Sequence, residues 1–557
     1  MSEESGKQST QPSTKRTTAD ASAFEWYKQY TPFEWCKPFL KELAERGIET
    51  AEADDKTLSP TRLMKIESNH WGACADVACR HQLRWVAAWG EQAGDRFLLN
   101  AGFEKQGDYL MLRTAVDAAH PQLPSQAPFY PAADRVERHI HDMLGVRFEG
   151  PPDNRRWTRH QAWPKESFPL RKDFPVEGSP AEVTPSDKEY PFLTAKGASV
   201  YEIPVGPVHA GIIEPGHFRF LAVGETVLNL EERFGYVHKG IEKIAEGRTP
   251  DALVRLAGRV SGDTTVGHSW AACMAMERAA DVAVPARAAV IRAILAERER
   301  IANHMGDMGG ICNDVGFTFA QIQFTRLREL WLRDNMALFG HRLLMDQIIP
   351  GGVKTDLPEA SIEQIERSIN WLEKELDEVL AAIDVNSSLE DRLYTAGVLT
   401  PETARALGVV GYLARSSGLS FDLRRDATYP PYDEVDVKVP VEPKGDVAAR
   451  FWLRHKEILV ACQLITALLD KLAPGDLTCE WATPAAGAEG LGLIEGWRGE
   501  ILCYVRFEQD NRISRYYPRD PSVVNWPALE KIILENIVPD FPVCNKSLNG
   551  SYSGHDL

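Results

Sequence analysis

Long helical patterns dominate the middle of this 557-residue sequence and limit the folds that it can adopt. In the segments 288–307, 359–384 and 448–472, apolar residues recur at three- and four-residue spacing, which is the period of one helix face. Residues 236–475 are therefore predicted to be mostly helical. A chain of this length exceeds one ordinary core, so we expect two or more domains.

Strand-like alternation flanks the helical region on both sides. Residues 198–235 alternate between apolar and polar positions with intervening turns, and residues 499–507 read as a later strand. Near the N-terminus, a helix ending at Gly47 precedes strand-like stretches. The predicted fold class is α+β, with a disordered tail at 1–23, a small α+β domain at 24–150, an extended linker at 151–197 and a mainly helical domain with a short β-sheet region at 198–557.

The nine cysteines are scattered as single residues, and the sequence contains no CxxC pair. Most zinc-ribbon and iron–sulfur sites use such pairs, so neither is expected here. Scattered cysteines without a secretory signal fit a reducing cytoplasm. The sequence contains no run of about 18 apolar residues, so it predicts no membrane-spanning helix. The net charge of −17 argues against nucleic acid as a partner, because a phosphate backbone demands a basic footprint.

Two stretches of the sequence carry a family resemblance. ERHIHDMLGVRFEG at 137–150, followed by PLRKDFP at 169–175, resembles the closing signature of the C subunit of NADH-quinone oxidoreductase, respiratory complex I. The second stretch comprises GPVH at 206–209, EPGHFR at 214–219, YVHKGIEK at 236–243, ERIANH at 299–304 and GICND at 310–314. It is similar to the large subunit of membrane-bound, energy-converting [NiFe] hydrogenases of the formate hydrogenlyase type. Those proteins are homologous to the complex I D subunit and often carry a C-like domain in front.

The resemblance implies a redox-module subunit of a multisubunit oxidoreductase, located in the cytoplasm and peripheral on the inner face of the plasma membrane. The implied partners are a small protein that holds a [4Fe–4S] cluster and integral-membrane, antiporter-like subunits. Electrons from the neighbouring cluster would reduce an acceptor, with quinone as one candidate, and charge changes would bias ion movement in the membrane arm. No cofactor is expected on this chain itself.

The chain departs from the hydrogenases at the ligands of their nickel, which are four thiolates in two CxxC segments. Here Ser261, Thr264, Ser551 and Gly554 occupy those positions. Hydroxyls are hard, weak ligands that stay protonated at neutral pH, so no metal is expected. Asp263 lies between two of these positions and leaves two alternatives open. It either helps to form a polar acceptor or proton pocket, or it belongs to a hydrogen-bonded plug in an emptied cavity.

The quinone contacts of the complex I D subunit are altered as well. His209 matches the first histidine of its hairpin loop, but the second histidine has no clear counterpart in the segment that leads to His217. The quinone-binding tyrosine of that family aligns with Gly262. Both usual contacts with the quinone headgroup are therefore missing.

Several groups that can handle protons remain. Glu214 lies near the position of a proton-relay glutamate, or it is a loop carboxylate that accepts backbone N–H groups. His304 and Asp307 share one face of a predicted helix, either as functional groups or as a packing motif. Arg498 matches an arginine that overhangs the metal pocket; it binds a small anion or a substrate carbonyl, or it forms a structural ion pair. His268 is read as a pocket-lining or packing histidine.

The predicted candidate pocket therefore has two groups of residues. The proton or acceptor groups are Glu214, Asp263, His304, Asp307 and Arg498. The residues that line the pocket where the family binds metal or quinone are His209, His217, Ser261, Thr264, His268 and Ser551.

Three functions stay open on the sequence. The main hypothesis is a complex I-like subunit that lacks nickel and passes electrons to an acceptor. The alternative is a catalytically silent scaffold that links the redox and membrane arms, and the third is quinone reduction of the ordinary complex I type. An open cavity walled by Glu214, Asp263 and Arg498 would favour the first hypothesis, whereas side chains that fill it would favour the scaffold.

Overall fold

The structure is a computed structural model that describes residues 33–53, 58, 60–160, 162–178, 189–195, 197, 199–209, 211 and 213–557. The predicted tail at 1–23 and part of the predicted linker lie outside the described residues. Among the described residues, no helix is both long and apolar enough to cross a bilayer.

The N-terminal part of the chain folds into seven strands and three α-helices among the described residues. These are α1 (Cys36–Glu45), β1 (Ala51–Ala53), β2 (Thr61–Lys65), α2 (Trp71–Arg80), β3 (Arg84–Ala93), β4 (Arg96–Lys105), β5 (Asp108–Asp117), β6 (Gln122–Pro124), α3 (Ala133–Leu144) and β7 (Arg147–Glu149).

Five of these strands form one sheet in the order β1-β2-β5-β4-β3. Strands β2 and β5 are parallel, and every other neighbouring pair is antiparallel. The turn between β4 and β5 uses Gly107 at φ +87°, where an added Cβ would lie 1.9 Å from the carbonyl oxygen of Asp426. Only glycine allows both this backbone conformation and this approach, so the hairpin tip can dock on the second part of the chain.

After β7, the described residues up to 195 form turns and extended chain without a helix or strand. The second part of the chain then contributes β8 (Tyr201–Val205), β9 (His217–Val223), β10 (Thr226–Arg233), α4 (Ile241–Ile244), α5 (Pro250–Ala257), α6 (Thr265–Ala279), α7 (Ala286–Asp314), α8 (Thr318–Phe339), β11 (Ile348–Ile349), β12 (Gly352–Val353), α9 (Glu359–Asp384), α10 (Ser387–Leu393), α11 (Pro401–Ala406), α12 (Gly411–Arg415), α13 (Leu423–Asp426), α14 (Val447–Asp470), β13 (Glu489–Gly496), β14 (Gly499–Phe507), β15 (Ile513–Arg519), α15 (Ser522–Asn525), α16 (Leu529–Ile532), α17 (Phe541–Leu548) and α18 (Tyr552–Asp556).

Helix α7 is the central element of this second part. It packs against α8, α14 and α17, while α6 packs on β13 and β14 of the three-stranded sheet β13-β14-β15. Strands β8, β9 and β10 form a separate three-stranded sheet. The predicted α+β class, the three long helices and the strand at 499–507 are confirmed.

Buried ion pairs join the N-terminal sheet to the sheet that carries the site. Glu500 on β14 accepts hydrogen bonds from Arg84 on β3 and Tyr109 on β5. Arg113 on β5 forms a two-pronged pair with Glu489 on β13, at 2.6 and 2.9 Å. These contacts fix β13 and β14, and with them Arg498 in the turn between the two strands.

Candidate functional site

The four positions of the missing thiolates converge in space. Ser261 Oγ lies 2.9 Å from Ser551 Oγ, although 290 residues separate them in sequence. The hydroxyl of Thr264 donates to Asp263 at 3.0 Å, and the N–H of Gly554 donates to Ser551 Oγ at 2.9 Å. Ser551 thereby caps helix α18, which is a common role of serine. The structure brings Ser261, Thr264 and Ser551 together.

An ion pair between Asp263 and Arg498 occupies the centre of this arrangement. The guanidinium donates two hydrogen bonds to the carboxylate, at 2.9 and 2.6 Å, and a third to the carbonyl oxygen of Asn549 at 2.8 Å. It stacks at 4.0 Å on the ring of Trp497. Burial alone would raise the pKa of Asp263, but the charge and hydrogen bonds of Arg498 outweigh it and hold that pKa well below its usual range.

The remaining polar groups at this site are also paired. Ser261 donates to Asp263 at 2.6 Å, and Trp497 Nε1 donates to the backbone oxygen of Asp263 at 2.9 Å. The cavity beside Asp263 has a volume of about 10 Å³, room for about one water molecule. Its lining includes Glu299 and Asn303. The hydroxyls and the ion pair are in hydrogen-bond contact with one another, so side chains occupy this position.

Gly554 has a steric reason to lack a side chain. An added Cβ would lie 2.6 Å from Cγ of Asp520, well inside contact distance. The Asp520 carboxylate is fully buried; it is paired with His268 Nε2 at 2.8 Å and accepts the N–H of Ser522 at 2.8 Å. Asp520 thus occupies the space that a fourth ligand side chain would need. His268 is a buried partner of Asp520.

Glu299 is a buried carboxyl at this site that the sequence did not single out. It accepts the N–H groups of Val266 and Gly267, at 2.7 and 3.1 Å, in the first turn of α6. Burial raises its pKa to about 8, because these two hydrogen bonds compensate only part of the cost of desolvation. Glu299 and Asn303 are four residues apart, so they lie on the same face of α7, the face that meets the pocket. This spacing could have identified Glu299 from the sequence.

The hairpin loop residues lie outside this closed arrangement. Glu214 is exposed and accepts the N–H of Ser553 at 2.9 Å. His209 Nε2 lies 2.8 Å from the carbonyl oxygen of Gly216, and His217 Nδ1 lies 3.1 Å from that of Gly206. These two histidines hold the loop in shape.

His304 and Asp307 share one face of α7, but they contact different partners. His304 Nε2 lies 2.8 Å from a carboxylate oxygen of Glu457. Asp307 accepts hydrogen bonds from Arg454 at 3.1 Å and Asn549 at 2.7 Å. The ring of Trp497, 5.9 Å from that of His304, stands between this histidine and the pocket. The structure therefore separates His304 from Asp263, with which the sequence had grouped it.

Among the described residues, no group of three or more His, Cys, Asp and Glu side chains is arranged to hold a metal ion.

Three family models match the sequence. The 30 Kd subunit of respiratory-chain NADH dehydrogenase matches residues 61–180, and its 49 Kd subunit matches residues 314–486. A nickel-dependent hydrogenase model matches residues 239–306. The matches include the stretches at 137–150, 169–175 and 299–304 that carried the sequence resemblance, and they overlap the stretch at 236–243.

Individual relatives agree with these models. Formate hydrogenlyase subunit 5 of Escherichia coli (strain K12) is 34% identical over 451 residues, which is 80% of this chain and 79% of that protein. The carbon monoxide-induced hydrogenase of Rhodospirillum rubrum is 32% identical and aligns with 63% of this chain and 98% of its own length. The C/D protein of NADH-quinone oxidoreductase from Phocaeicola vulgatus is 30% identical, with coverage of 76% and 84%.

A solved structure is similar too. It belongs to the membrane-bound sulfane sulfur reductase, an archaeal respiratory membrane complex. The TM-score is 0.61 at 25% identity, and the likeness covers 64% of this chain and 99% of the matched chain.

Proposed function

The chain belongs to the family of complex I-related large subunits that includes formate hydrogenlyase subunit 5 and the C/D protein of NADH-quinone oxidoreductase, and we propose that it serves its complex as a connecting element without a nickel centre. It is a subunit of a complex I-like, hydrogenase-related membrane complex. Within that complex, it would link an iron–sulfur subunit to the membrane arm. This corresponds to the scaffold alternative of the sequence analysis.

The filled pocket is the observation that carries this proposal. Hydroxyl oxygens occupy three of the four thiolate positions, and the Asp263–Arg498 ion pair is closed by bonds from Ser261 and Thr264. A soft metal prefers thiolates, and an acceptor molecule needs space that these mutually bonded side chains occupy. Neither requirement is met at this position.

The partners and location are proposed from the family. We expect a small protein with a [4Fe–4S] cluster, integral-membrane antiporter-like subunits, and a peripheral position on the cytoplasmic face of the membrane. Charge changes in the redox module would bias ion movement in the membrane arm. No nucleic acid partner is expected.

A second candidate function is reduction of an acceptor at a pocket that a partner protein completes. The structural likeness to the membrane-bound sulfane sulfur reductase favours it, because that complex is named for such a reaction. Quinone is another candidate acceptor. In this case Asp263 and Arg498 would have to part and contact the acceptor.

Purification of the native complex through a tag on this chain separates these candidates. The complex is analysed for nickel and assayed with a quinone and with a polysulfide, as wild type and as Asp263→Asn. Asp346→Asn is the matched control, since Asp346 forms an exposed pair with Arg259 near the pocket.

We expect no stoichiometric nickel. We expect Asp263→Asn and Asp346→Asn to reduce each acceptor at the same rate as wild type. Stoichiometric nickel would overturn the proposal. Loss of turnover in Asp263→Asn alone, with the complex fully assembled, would establish the acceptor site instead.

A further inference from the structure

Behind Trp497 lies a group of charged side chains that is more deeply buried than the pocket. We call it the ionic cluster. All of its members are at most 2% exposed, and they come from five elements and the residue preceding α13. The members are Glu297, Arg300 and His304 on α7, Arg415 on α12, Asp422 before α13, Arg424 on α13, Glu457 on α14 and Glu495 on β13.

Arg415 is the centre of the ionic cluster. Its guanidinium contacts three carboxylates, those of Glu457 at 2.8 Å, Glu495 at 2.9 Å and Asp422 at 3.2 Å. Arg424 extends the cluster by binding Asp422 at 2.7 Å.

Glu297 closes the other end of the cluster. It pairs with Arg424 at 3.0 Å and with Arg300 at 3.1 Å. Arg300 also reaches Glu457 at 3.6 Å. The eight side chains therefore form one connected network.

The charges of the ionic cluster do not balance. It contains the four carboxyl groups of Glu297, Asp422, Glu457 and Glu495, but only the three guanidinium groups of Arg300, Arg415 and Arg424. A net charge without water nearby is costly. One further proton, on His304 or on a carboxyl, would make the cluster neutral.

His304 is poorly placed to hold that proton. Its Nε2 faces Glu457 at 2.8 Å, whereas its buried Nδ1 has no hydrogen-bond partner among the described residues. An imidazolium has two N–H donors, and a buried donor without an acceptor is unfavourable. Burial also lowers the pKa of His304, despite the hydrogen bond and charge of Glu457. We therefore infer a neutral ring that donates from Nε2.

Of the four carboxyls in the ionic cluster, Glu495 contacts the fewest arginines. Its oxygens accept one hydrogen bond from Arg415 at 2.9 Å and one from the backbone N–H of Leu423 at 3.2 Å. Each of the other three carboxyls contacts two arginines. We propose that the Glu495 carboxyl is a buried binding site for a single exchangeable proton.

The surroundings of Glu495 set the strength of this site. Burial and the neighbouring Asp422 raise the pKa of Glu495 to about 7, against the lowering effect of Arg415, Arg300 and Arg424. Its cross-strand neighbour Glu500 is compensated separately by Arg84 and Arg519. Tyr429 contributes only a hydroxyl near the Glu495 backbone N–H. The proton is therefore expected to exchange close to neutral pH.

The backbone of the β13–β14 hairpin connects the Glu495 site to the pocket. Glu495 lies three residues before Arg498 in the β13–β14 hairpin, and Arg300 holds the Glu495 carbonyl oxygen at 2.9 Å. A proton bound or released here changes the charge within the core of the subunit. This inference goes beyond the proposed function and does not depend on it.

Isotope-edited infrared titration of the full-length chain tests the site. With carbon-13 in the glutamate carboxyls, wild type should show a protonated carboxylic acid band that fades with a midpoint near pH 7. Glu495→Gln should lose this component. Glu489→Gln, which removes an arginine-paired carboxylate from the same strand, should keep it. The difference spectrum between wild type and Glu495→Gln separates this component from those of other buried glutamates with a raised pKa, among them Glu137, Glu232 and Glu299. A difference spectrum without a carboxylic acid band of midpoint near pH 7 would overturn the proposal.

A second variant decides the matter if Glu495→Gln does not fold. Asp422→Asn removes the negative neighbour but leaves Glu495 in place. The midpoint of the band should then shift to lower pH, a change that a merely structural role of Asp422 would not cause. An unchanged midpoint would contradict the assignment to Glu495.

Discussion

Two neighbouring regions on either side of Trp497 balance their buried charges differently. On one side is the polar pocket, formed by Ser261, Asp263, Thr264, Arg498 and Ser551. On the other side is the ionic cluster. The Trp497 ring stacks on Tyr412 with an interplanar angle of 13° and separates the two regions.

The polar pocket contains one acid and one base, and its hydroxyls satisfy the remaining hydrogen bonds. The ionic cluster contains four acids against three bases, so one of its acids needs a proton. The comparison teaches that the polar pocket balances its one acid against one base, whereas the ionic cluster one layer deeper carries an unbalanced charge. Removing a charged side chain should therefore lower the free energy of unfolding by different amounts in the two regions.

The largest effect is expected from Arg415→Met in the ionic cluster. The change leaves Glu457, Glu495 and Asp422 without their shared cation, and breaking a buried ion pair from one side typically costs about 3–5 kcal/mol. Urea unfolding of the full-length chain measures the loss. Arg333→Met, at a 73% exposed side chain, is the control and should change stability by less than about 0.5 kcal/mol. Equal effects of the two variants would refute the ionic cluster as a stability element.

A smaller loss is expected from Asp263→Ala in the polar pocket. Arg498 would be left buried without its carboxylate, but the Asp263 side chain is 36% exposed and water can replace part of its interaction. We expect a loss of about 1–3 kcal/mol, below the cost of a fully buried pair. The double variant Asp263→Ala/Arg498→Met should be more stable than Asp263→Ala alone. Additive losses would show that the two side chains are not coupled.

Gly554→Ala tests the steric part of the polar pocket. The new Cβ would meet the Asp520 carboxylate at 2.6 Å, and overpacking of this kind costs about 1–3 kcal/mol. Gly262→Ala is the matched control in the same pocket, because its Cβ would meet only Met345 Cε at 3.8 Å. Thermal unfolding compares the two. If Gly554→Ala were as stable as Gly262→Ala, restoring a thiol at position 554 would not be sterically blocked.

Much of the fold followed from the sequence because its signals are local. Apolar spacing located the long helices, and the family resemblance fixed the register of Ser261, Thr264 and Ser551, which do meet. The hydrogen-bonded plug was one of two stated alternatives. Its partner Arg498 was named, but the pairing with Asp263 depends on a contact across 235 residues of sequence.

What the sequence did not reveal is which charges are buried together. Asp520 follows β15, and Glu495 lies on β13. Only the folded chain brings Asp520 to His268 and Glu495 to Arg415. The exposure of Glu214 was hidden from the sequence for a related reason. Its residue type suits a proton relay, but exposure is set by where the hairpin loop lies and not by the residue itself.

The pH dependence of unfolding tests whether Glu299, which lies beside the polar pocket, is a buried acid. Its pKa is about 8 in the folded chain against an ordinary value of 4.5, so the folded state binds the proton more tightly. Its contribution to stability is therefore complete below about pH 4.5 and is lost as the pH rises towards 8. Glu299→Gln should gain about 1–2 kcal/mol relative to wild type between pH 5 and pH 6.5, from urea unfolding at each pH. A stability difference independent of pH would contradict the buried acid.

The smallest effect is expected from Glu214→Gln, which lies outside both regions. An exposed carboxylate that accepts one backbone N–H contributes little, and glutamine can still accept that hydrogen bond, so stability should change by less than about 0.5 kcal/mol. The informative measurement is turnover of the assembled complex, with Glu202→Gln at a surface ion pair as the control. Unchanged turnover would leave Glu214 as a loop carboxylate. A loss confined to Glu214→Gln would restore it as a proton relay and would place the working chemistry at the hairpin loop, on the outer side of the polar pocket.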